Sequence, residues 1–421
     1  MLWFGSTISS FGTAVTTVAF PIVALVNLKA TTFEVSLVTA AGVTAWLLLG
    51  LSAGVWVERT ERRRLMIACD IVRALALATV PITLAAGALT VAHLVIVALI
   101  IGTGSVLYDV ANQTYLPSVV PAQDLVSSNS KLQASQSAAQ TAGPALSGVI
   151  VQFIGAALSL LIDVGTYVLS ALMLLRVRHR EAAPQRNPSE RMLPQIREGL
   201  RYVWNDPVFR PLLIVVTGLN LFGSAFDTLL IPFLLRDMKM PPAQIGALLA
   251  LAGVGALLGA AFGPLLTRKV GSARAIMIAA VVGPWLGLLV PASRVGWGLG
   301  FFVIGLVGRE AGIAMYSLLA RSFRQMTAPR HLLARITATV RFVSWGVLPI
   351  GAVGGGALGQ LMGIRSAIWV ICIALLFTPL PLMLLSVRKL QQLIDEGSAT
   401  GGAASPRTAS VHSVSGNGDK R

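Results

Sequence analysis

Eight charged side chains lie inside long apolar stretches of this 421-residue sequence, where little water can solvate them. A charge at the centre of a bilayer costs about 2.5–3.5 kcal/mol on insertion scales, so each of the eight needs a partner or a function. A carboxylate in such a place can exchange a proton with an internal cavity, and an arginine can neutralise a carboxylate or bind an anion. The eight residues are Asp70, Arg73, Asp109, Asp163, Asp227, Arg309, Glu310 and Arg341.

Asp227 is the strongest candidate for proton exchange because small and polar residues precede it at helical spacing. Asn220, then Gly223 or Ser224, then Asp227 recur at i, i+3 or i+4, and i+7, which places them along one side of a helix. We predict that this side faces a cavity and that Asp227 exchanges a proton there. An ion pair between Asp227 and a basic residue of another span is the alternative.

Arg309 and Glu310 are neighbours in the middle of an apolar stretch. Adjacent residues of a helix point about 100° apart, so we expect pairing with other helices rather than with each other. Such a pair is either a fixed strut or a contact that breaks when the protein changes conformation. Arg341, with Thr337 and Ser344 on its side of a helix, can bind an anion, neutralise an acidic residue or extend to the membrane surface.

The other four charges favour simpler interpretations. Asp70 and Arg73 are one helical turn apart, which predicts a local ion pair. Asp109 is expected to be an interfacial carboxylate bonded to nearby backbone or to loop arginines, with a role in a cavity as the alternative. Asp163 is expected to be structural.

The sequence lacks the residue patterns that a metal site, a cofactor site or a nucleotide-binding loop would need. All four histidines lie outside the apolar stretches or at their edges, so neither a metal site nor a histidine proton relay is expected. The sequence has no Gly-x-x-x-x-Gly-Lys-Ser/Thr phosphate loop. Gly253, Gly255 and Gly259 belong to an apolar helix with no preceding strand, so close helix packing explains their spacing better than a dinucleotide site. No cofactor is therefore expected.

The elements that must position these charges are membrane-spanning helices. Hydrophobic residues make up 55% of the chain and charged residues 12%, against about 25% charged in soluble domains, which excludes an ordinary water-soluble enzyme. A helix needs roughly 20 apolar residues to cross a bilayer. Twelve such stretches predict an all-α polytopic membrane protein, and they lie near 3–26, 35–56, 65–87, 91–113, 132–153, 156–175, 211–233, 243–266, 275–292, 297–319, 336–360 and 366–386.

The net charge of +16 follows the predicted topology. Basic residues collect on the cytoplasmic side of membrane proteins. With both termini cytoplasmic, most of the 33 basic residues lie in cytoplasmic segments, and anionic inner-leaflet lipid rather than nucleic acid is the expected partner. The external links hold only Lys29, Arg236, Lys239, Arg294 and Arg365.

Three sequence matches indicate that the chain is a duplicated six-helix unit. Phe11-Gly12 recurs as Phe222-Gly223, the Gly54 segment recurs at Gly263, and Pro144 recurs as Pro349, with offsets of 211, 209 and 205 residues. The predicted units are a first half over 1–175, a cytoplasmic loop over 176–210 and a second half over 211–390. A Ser- and Gly-rich tail over 391–421 is expected to be disordered.

The link between the second and third predicted spans carries a recognisable motif. It reads Gly54-Val-Trp-Val-Glu58-Arg59-Thr-Glu-Arg62-Arg63-Arg, with Asp70 following, and it resembles the signature loop of the major facilitator superfamily, Gly-x-x-x-Asp-Arg-x-Gly-Arg-Arg. Glu58 replaces the aspartate and Glu61 the second glycine. The resemblance implies gating roles for Gly54, Glu58, Arg59, Arg62, Arg63 and Asp70.

Further segments resemble the macrolide and siderophore exporter branch of that superfamily. They are 115–121, 142–148 and 198–207, and Gly143-Pro144 resembles the antiporter motif of the fifth helix. The resemblance implies a monomeric, proton-coupled exporter in the cell inner (plasma) membrane that moves an amphipathic small molecule by alternating access between its halves. A nutrient importer, a lipid flippase and, outside transport, a membrane scaffold or sensor are the alternatives.

Overall fold

The computed structural model describes residues 2–49, 53–176, 200–207, 209–328 and 332–384. These residues form a bundle of twelve long helices. The helices are α1 (Leu2–Ile22), α2 (Thr32–Leu49), α3 (Arg62–Ala85), α4 (Val91–Val119), α5 (Leu125–Ile154), α6 (Ala156–Arg176), α7 (Phe209–Pro232), α8 (Pro242–Val270), α9 (Ser272–Gly287), α10 (Leu299–Thr327), α11 (Leu333–Gly346 and Leu348–Met362) and α12 (Ile364–Phe377).

Eleven helices of the described chain are long and apolar enough to cross a membrane. The remaining long helix, α5, has 30 residues but carries a Ser- and Gln-rich first half. It packs between α1 and α8 inside the bundle, where polar side chains can face a cavity instead of lipid. The all-α, two-halved membrane fold is confirmed, and α5 is the span that apolar length predicts least well.

Several helices run past the apolar stretch that predicted them. The helix α4 ends at Val119 rather than near 113, α5 begins at Leu125 rather than near 132, and α10 ends at Thr327 rather than near 319. All three extensions lie on the side of the molecule that carries segment 59–64, which we call the arginine face. Backbone hydrogen bonds continue there although the side chains become polar.

The backbone repeats the same unusual turns in both halves. π-helical turns follow α1 and α7 at Val23–Asn27 and Phe233–Asp237. The next turns contain Lys29 and Lys239, which have φ values of 52° and 51°. Side chains rarely adopt this left-handed conformation, so the pair is strong evidence for a duplicated fold.

Close packing joins the two halves at the far face, opposite the arginine face. A Cβ on Gly148 of α5 would collide with the backbone of Gly246 of α8, and a Cβ on Gly356 of α11 would collide with Ser36 of α2. The backbone N–H of Ala243 donates to Gln152 Oε1 at 3.1 Å. These contacts close the bundle at that face.

A break at Val347 divides α11 into two segments, where the sequence predicts one continuous helix. Pro349 follows the break and has no N–H with which to continue the helical hydrogen bonds. The hydroxyl of Ser224 on α7 donates to the carbonyl of Leu348 at 2.7 Å. The break is therefore held by a side chain of a neighbouring helix.

Most of the predicted central loop and the whole predicted tail, 391–421, lie outside the described residues. The end of that loop is ordered: a short helix over 200–205 leads into α7, and Asp206 accepts a hydrogen bond from the N–H of Phe209 at 2.9 Å. The rings of Tyr202 and Phe209 are 6.0 Å apart. This segment packs on the bundle rather than forming part of a loop.

Candidate functional site

An internal cavity of about 370 Å³ lies in the first half, between α1, α3, α4 and α5. Its wall is rich in hydroxyl and amide groups and holds one carboxylate and one guanidinium. The lining residues are Ser6, Ser9, Ser10, Thr13, Ala14, Thr17, Arg73, Ser105, Tyr108, Asp109, Gln136, Ala139, Gln140 and Pro144.

The hydroxyl groups of α1 form one wall of this cavity. Ser10 donates to the carbonyl of Ser6 at 2.9 Å, and Thr17 donates to the carbonyl of Thr13 at 2.9 Å. Because these hydroxyls donate to their own helix, their oxygen lone pairs remain to accept hydrogen bonds. We did not predict this wall from the sequence, although Ser6, Ser10, Thr13 and Thr17 recur at i, i+4, i+7 and i+11.

Asp109 lies on the wall of the cavity and its side chain is exposed there. No hydrogen bond or ion pair joins it to another residue in the described ranges. The predicted bonds to backbone or to loop arginines are therefore wrong, because α4 continues to Val119 and carries Asp109 inside the bundle. The cavity role given as the alternative is the one compatible with this position.

Arg73 also lines the cavity and is held from several sides. It pairs with Asp70, as predicted, and donates to Ser105 Oγ at 3.3 Å. Its guanidinium lies 4.7 Å from the ring centroid of Tyr108 and 4.4 Å from that of Tyr167. This arginine is therefore fixed by its own half.

Asp163 is fully buried on α6, where it accepts hydrogen bonds from Thr16 of α1 and from Thr166 Oγ1, the latter at 2.8 Å. A Cβ on Gly12 would collide with Asp163, so this glycine allows α1 and α6 to meet. The carboxylate ties two helices of the first half together, which agrees with the structural interpretation.

In the second half, one guanidinium serves two carboxylates. Arg309 of α10 pairs with Asp227 of α7 at 3.1 Å and also with Glu310. The expectation that Arg309 and Glu310 do not contact each other is wrong, because a long arginine side chain reaches around its helix although the two Cα–Cβ bonds diverge. Phe226 covers the guanidinium at 4.1 Å.

The polar stripe of α7, formed by Asn220, Gly223 and Asp227, contacts α11 and α10 more than it faces a cavity. The amide of Asn220 donates to the carbonyl of Ser344 at 2.8 Å, and Arg309 reaches the carbonyl of Gly223 at 3.5 Å. At Asn220, the side of α7 that we predicted to face a cavity instead joins α7 to α11. Asp227, at the end of the stripe, keeps a side chain that is 61% exposed.

Arg341 of α11 is stacked between two tryptophans. Its guanidinium lies 5.0 Å from the ring centroid of Trp46 and 4.3 Å from that of Trp345. Trp46 belongs to α2, so the stack crosses the boundary between the halves. Its three predicted roles, binding an anion, neutralising an acidic residue and extending to the membrane surface, all stay predictions.

The motif residues of the arginine face do not reach the cavity, apart from the Asp70–Arg73 pair beside it. Arg63 donates to the carbonyls of Leu174 and Leu175 at 2.9 and 2.7 Å and so caps the end of α6. A Cβ on Gly54 would meet open space. Arg59 lies in the turn before α3 and Arg62 is the first residue of α3, whereas the side chain of Glu58 is outside the described part. The gating roles of all these residues stay predictions.

Gly143 and Pro144 lie in the middle of α5. A Cβ on Gly143 would collide with Ala14 of α1, and Pro144 lines the cavity. The carbonyl of Pro144 lies against Gly246 of α8 in the other half. The motif therefore sits where the cavity meets the contact between the halves.

A bundle of this kind, with two repeated halves and a polar internal cavity, defines a multi-pass membrane transporter rather than an enzyme. The family model described as transmembrane secretion effector matches residues 1–409. The chain belongs to this family of the major facilitator superfamily.

Two kinds of exporter are among its relatives. The multidrug efflux pump Tap of Mycolicibacterium fortuitum is 28% identical over 400 residues, which cover 92% of this chain and 93% of the pump. The enterobactin exporter EntS of Citrobacter koseri is 30% identical over 222 residues, which cover 52% of this chain and 51% of the exporter.

Solved structures share the fold at lower sequence identity. A bacterial homologue of the iron transporter ferroportin in an inward-facing state has a TM-score of 0.76 at 18% identity and covers 91% of this chain and 97% of its own. The nucleoside transporter NupG has a TM-score of 0.76 at 12% identity, with the same coverage of both chains. These likenesses concern the architecture alone.

Proposed function

We propose that the protein exports an amphipathic small molecule from the cytoplasm in exchange for protons, by alternating access between its two halves. The observation that carries the proposal is Asp109, a carboxylate without a described partner on the wall of an internal polar cavity. A protein maintains such a group against its insertion cost when the group binds a proton or a ligand.

The cavity suits a molecule with both polar and apolar parts. Hydroxyl and amide groups line it beside Ala14, Ala139 and Pro144, and few fixed charges lie in the wall. The cavity extends to Ser6, close to the start of α1 at the arginine face. With the positive charges inside, the proposal makes that face cytoplasmic and the closed far face external.

The direction and the substrate class rest on similarity. The relatives named as a multidrug efflux pump and as an enterobactin exporter both move small molecules outward by name. Neither of these two relatives is named as an importer or a flippase, which favours export over the predicted alternatives, a nutrient importer and a lipid flippase. Residues 2–49 and 53–176 would form most of one rocking half, and the far-face contacts would open when the halves rock.

A second proton site is proposed at Asp227 and Glu310. Two carboxylates share the single guanidinium of Arg309, so the cluster carries one negative charge in excess when both are ionised. The excess carboxylate can take up one proton without breaking every ion pair. Of the two carboxylates, the more exposed Asp227 is the more accessible to solvent, with 61% of its side chain exposed against 23% for Glu310.

Everted membrane vesicles with ethidium as the probe test this proposal. Under an imposed proton gradient, wild-type protein should accumulate ethidium, and Asp109→Asn should abolish the accumulation while the amount of folded protein in the membrane stays the same. Asp124→Asn, at an exposed carboxylate outside the cavity, is the matched control and should be active. Gradient-driven accumulation by the Asp109→Asn variant would reject Asp109, and the same measurement on Asp227→Asn decides the second site.

A further inference from the structure

The stack of Trp46, Arg341 and Trp345 joins α2 of the first half to α11 of the second half. The two indole rings meet edge to face with centroids 5.0 Å apart, and the guanidinium lies over both. A guanidinium over an aromatic face is attracted by the ring quadrupole. The stack therefore holds a positive charge at the boundary between α2 and α11.

Arg341 is an arginine with unused donors. Its side chain is exposed, and no hydrogen bond or ion pair joins it to any residue that the structure describes. A guanidinium carries five N–H donors in one plane. The tryptophans thus hold the guanidinium in place but accept no hydrogen bond from it. Its N–H groups are therefore available to a carboxylate.

The candidate carboxylate is Asp109, which belongs to the other half. Trp46 packs against a cluster that contains Val106, one helical turn before Asp109 on α4, and Val110, the residue after Asp109, packs on the same cluster. Arg341 lies against Trp46, and Trp46 packs beside the part of α4 that carries Asp109. The two opposite charges therefore lie near the same boundary, and they form no ion pair with each other in this conformation.

The other charged groups around these two are already engaged or have the wrong sign. Arg73 of α3 also faces Asp109, but it is fixed by Asp70 and by the rings of Tyr108 and Tyr167. Tyr108 and Arg321 are the remaining titratable neighbours, of Asp109 and of Arg341 respectively. Arg341 is thus the cation that can move to Asp109.

We propose that Trp46 and Trp345 are positioning residues that hold Arg341 ready for Asp109, and that Arg341 pairs with Asp109 when this carboxylate is ionised and empty. The pair would join α4 to α11 across the halves and stop them from rocking. A proton or a bound substrate at Asp109 prevents the pair, so only a loaded transporter changes conformation. This inference rests on the proposed exchange of substrate for protons.

Ethidium flux at alkaline pH, without a proton gradient, provides the test. An ionised wild-type transporter should exchange ethidium for ethidium but should show little net efflux, because the empty form is locked. Arg341→Gln should keep the exchange and raise the net efflux on the order of tenfold. Trp46→Ala and Trp345→Ala should act in the same direction more weakly, and Trp297→Ala, at a fully exposed tryptophan, should not.

Three results would overturn the inference. The first is an unchanged net efflux in Arg341→Gln, and the second is a loss of both exchange and net efflux in that variant. The third is equal net efflux in Arg341→Lys and Arg341→Gln, since lysine keeps the charge and should keep part of the lock. Absence of gradient-driven ethidium transport by the wild type would instead contradict the proposed function itself.

A distance measurement gives a second readout that needs no substrate. Spin labels on cysteines introduced at Gln113 of α4 and Thr337 of α11 report the separation of the two helices, since the native Cys69 and Cys372 are buried. The distance should shorten when the pH is raised in wild-type background and should stay constant in Arg341→Gln. A distance that shortens equally in both backgrounds would overturn the inference.

Discussion

Arg309 of α10 donates to Asp227 of α7 at 3.1 Å, and the two residues differ sharply in their surroundings. The arginine side chain is 2% exposed and the aspartate side chain 61%. Within this ion pair, the guanidinium is therefore buried, whereas the carboxylate is accessible to solvent. Because Glu310 contacts the same guanidinium, loss of the arginine would leave two carboxylates without their cation.

Arg309→Met should therefore destabilise the protein strongly. Removing one partner of a fully buried ion pair costs about 3–5 kcal/mol, since the remaining charge is uncompensated. Because Asp227 is 61% exposed and Glu310 only 23%, most of the loss should come from Glu310 and the total should lie below that range. Thermal unfolding in detergent should show this loss, and the double variant Arg309→Met with Glu310→Gln should recover part of it. Arg294→Met, at an exposed arginine, is the control. A single variant as stable as the control would contradict the anchoring role of Arg309.

Thr16→Val should destabilise the first half. The valine has nearly the shape of threonine but cannot donate to Asp163, which is fully buried. A buried group that loses its hydrogen-bond partner costs about 1–3 kcal/mol. Thr17→Val is the matched control, because Thr17 is exposed and donates only to its own helix. The same unfolding measurement checks this prediction, and equal midpoints for the two variants would count against it.

The architecture could be predicted from the sequence because hydropathy and the duplicated motifs act over many residues. The Asp70–Arg73 pair was predictable too, since one helical turn separates the partners. The pairing of Asp227 with a basic residue of another span was only an alternative, because the sequence does not show which faces of α7 and α10 meet. Only the packing of α10 against α7 identifies Arg309 as its partner.

Other parts of the site were out of reach for physical reasons. The sequence places Asp109 near a predicted helix end, and only the continuation of α4 through polar residues brings it into the cavity. The Arg309–Glu310 contact depends on side-chain reach, which Cα–Cβ directions do not describe. The stack of Arg341 on Trp46 joins residues almost 300 positions apart in sequence, so no local pattern indicates it.

Arg63→Ala should loosen the end of α6. A cation near the last carbonyls of a helix stabilises it by about 0.3–1 kcal/mol, and Arg63 donates to the carbonyls of Leu174 and Leu175. Hydrogen exchange of the backbone near the end of α6 should become faster in this variant. Arg64→Ala is the control, because the Arg64 side chain is 82% exposed and pairs only with Glu61 on the surface. Equal exchange in both variants would show that Arg63 does not cap α6.

Gly246→Ala should open the far face. A methyl group at this position would collide with the carbonyl of Pro144 and the backbone of Gly148, so α8 and α5 could no longer meet as they do. Overpacking of this kind costs about 1–3 kcal/mol, which corresponds to a population shift of about 5- to 150-fold. A cysteine introduced at Ala243 should then react faster with a maleimide added from outside. Gly354→Ala, where a methyl group meets open space, should leave the labelling rate unchanged, and equal rates in the two variants would show that the Gly148–Gly246 contact does not close this face.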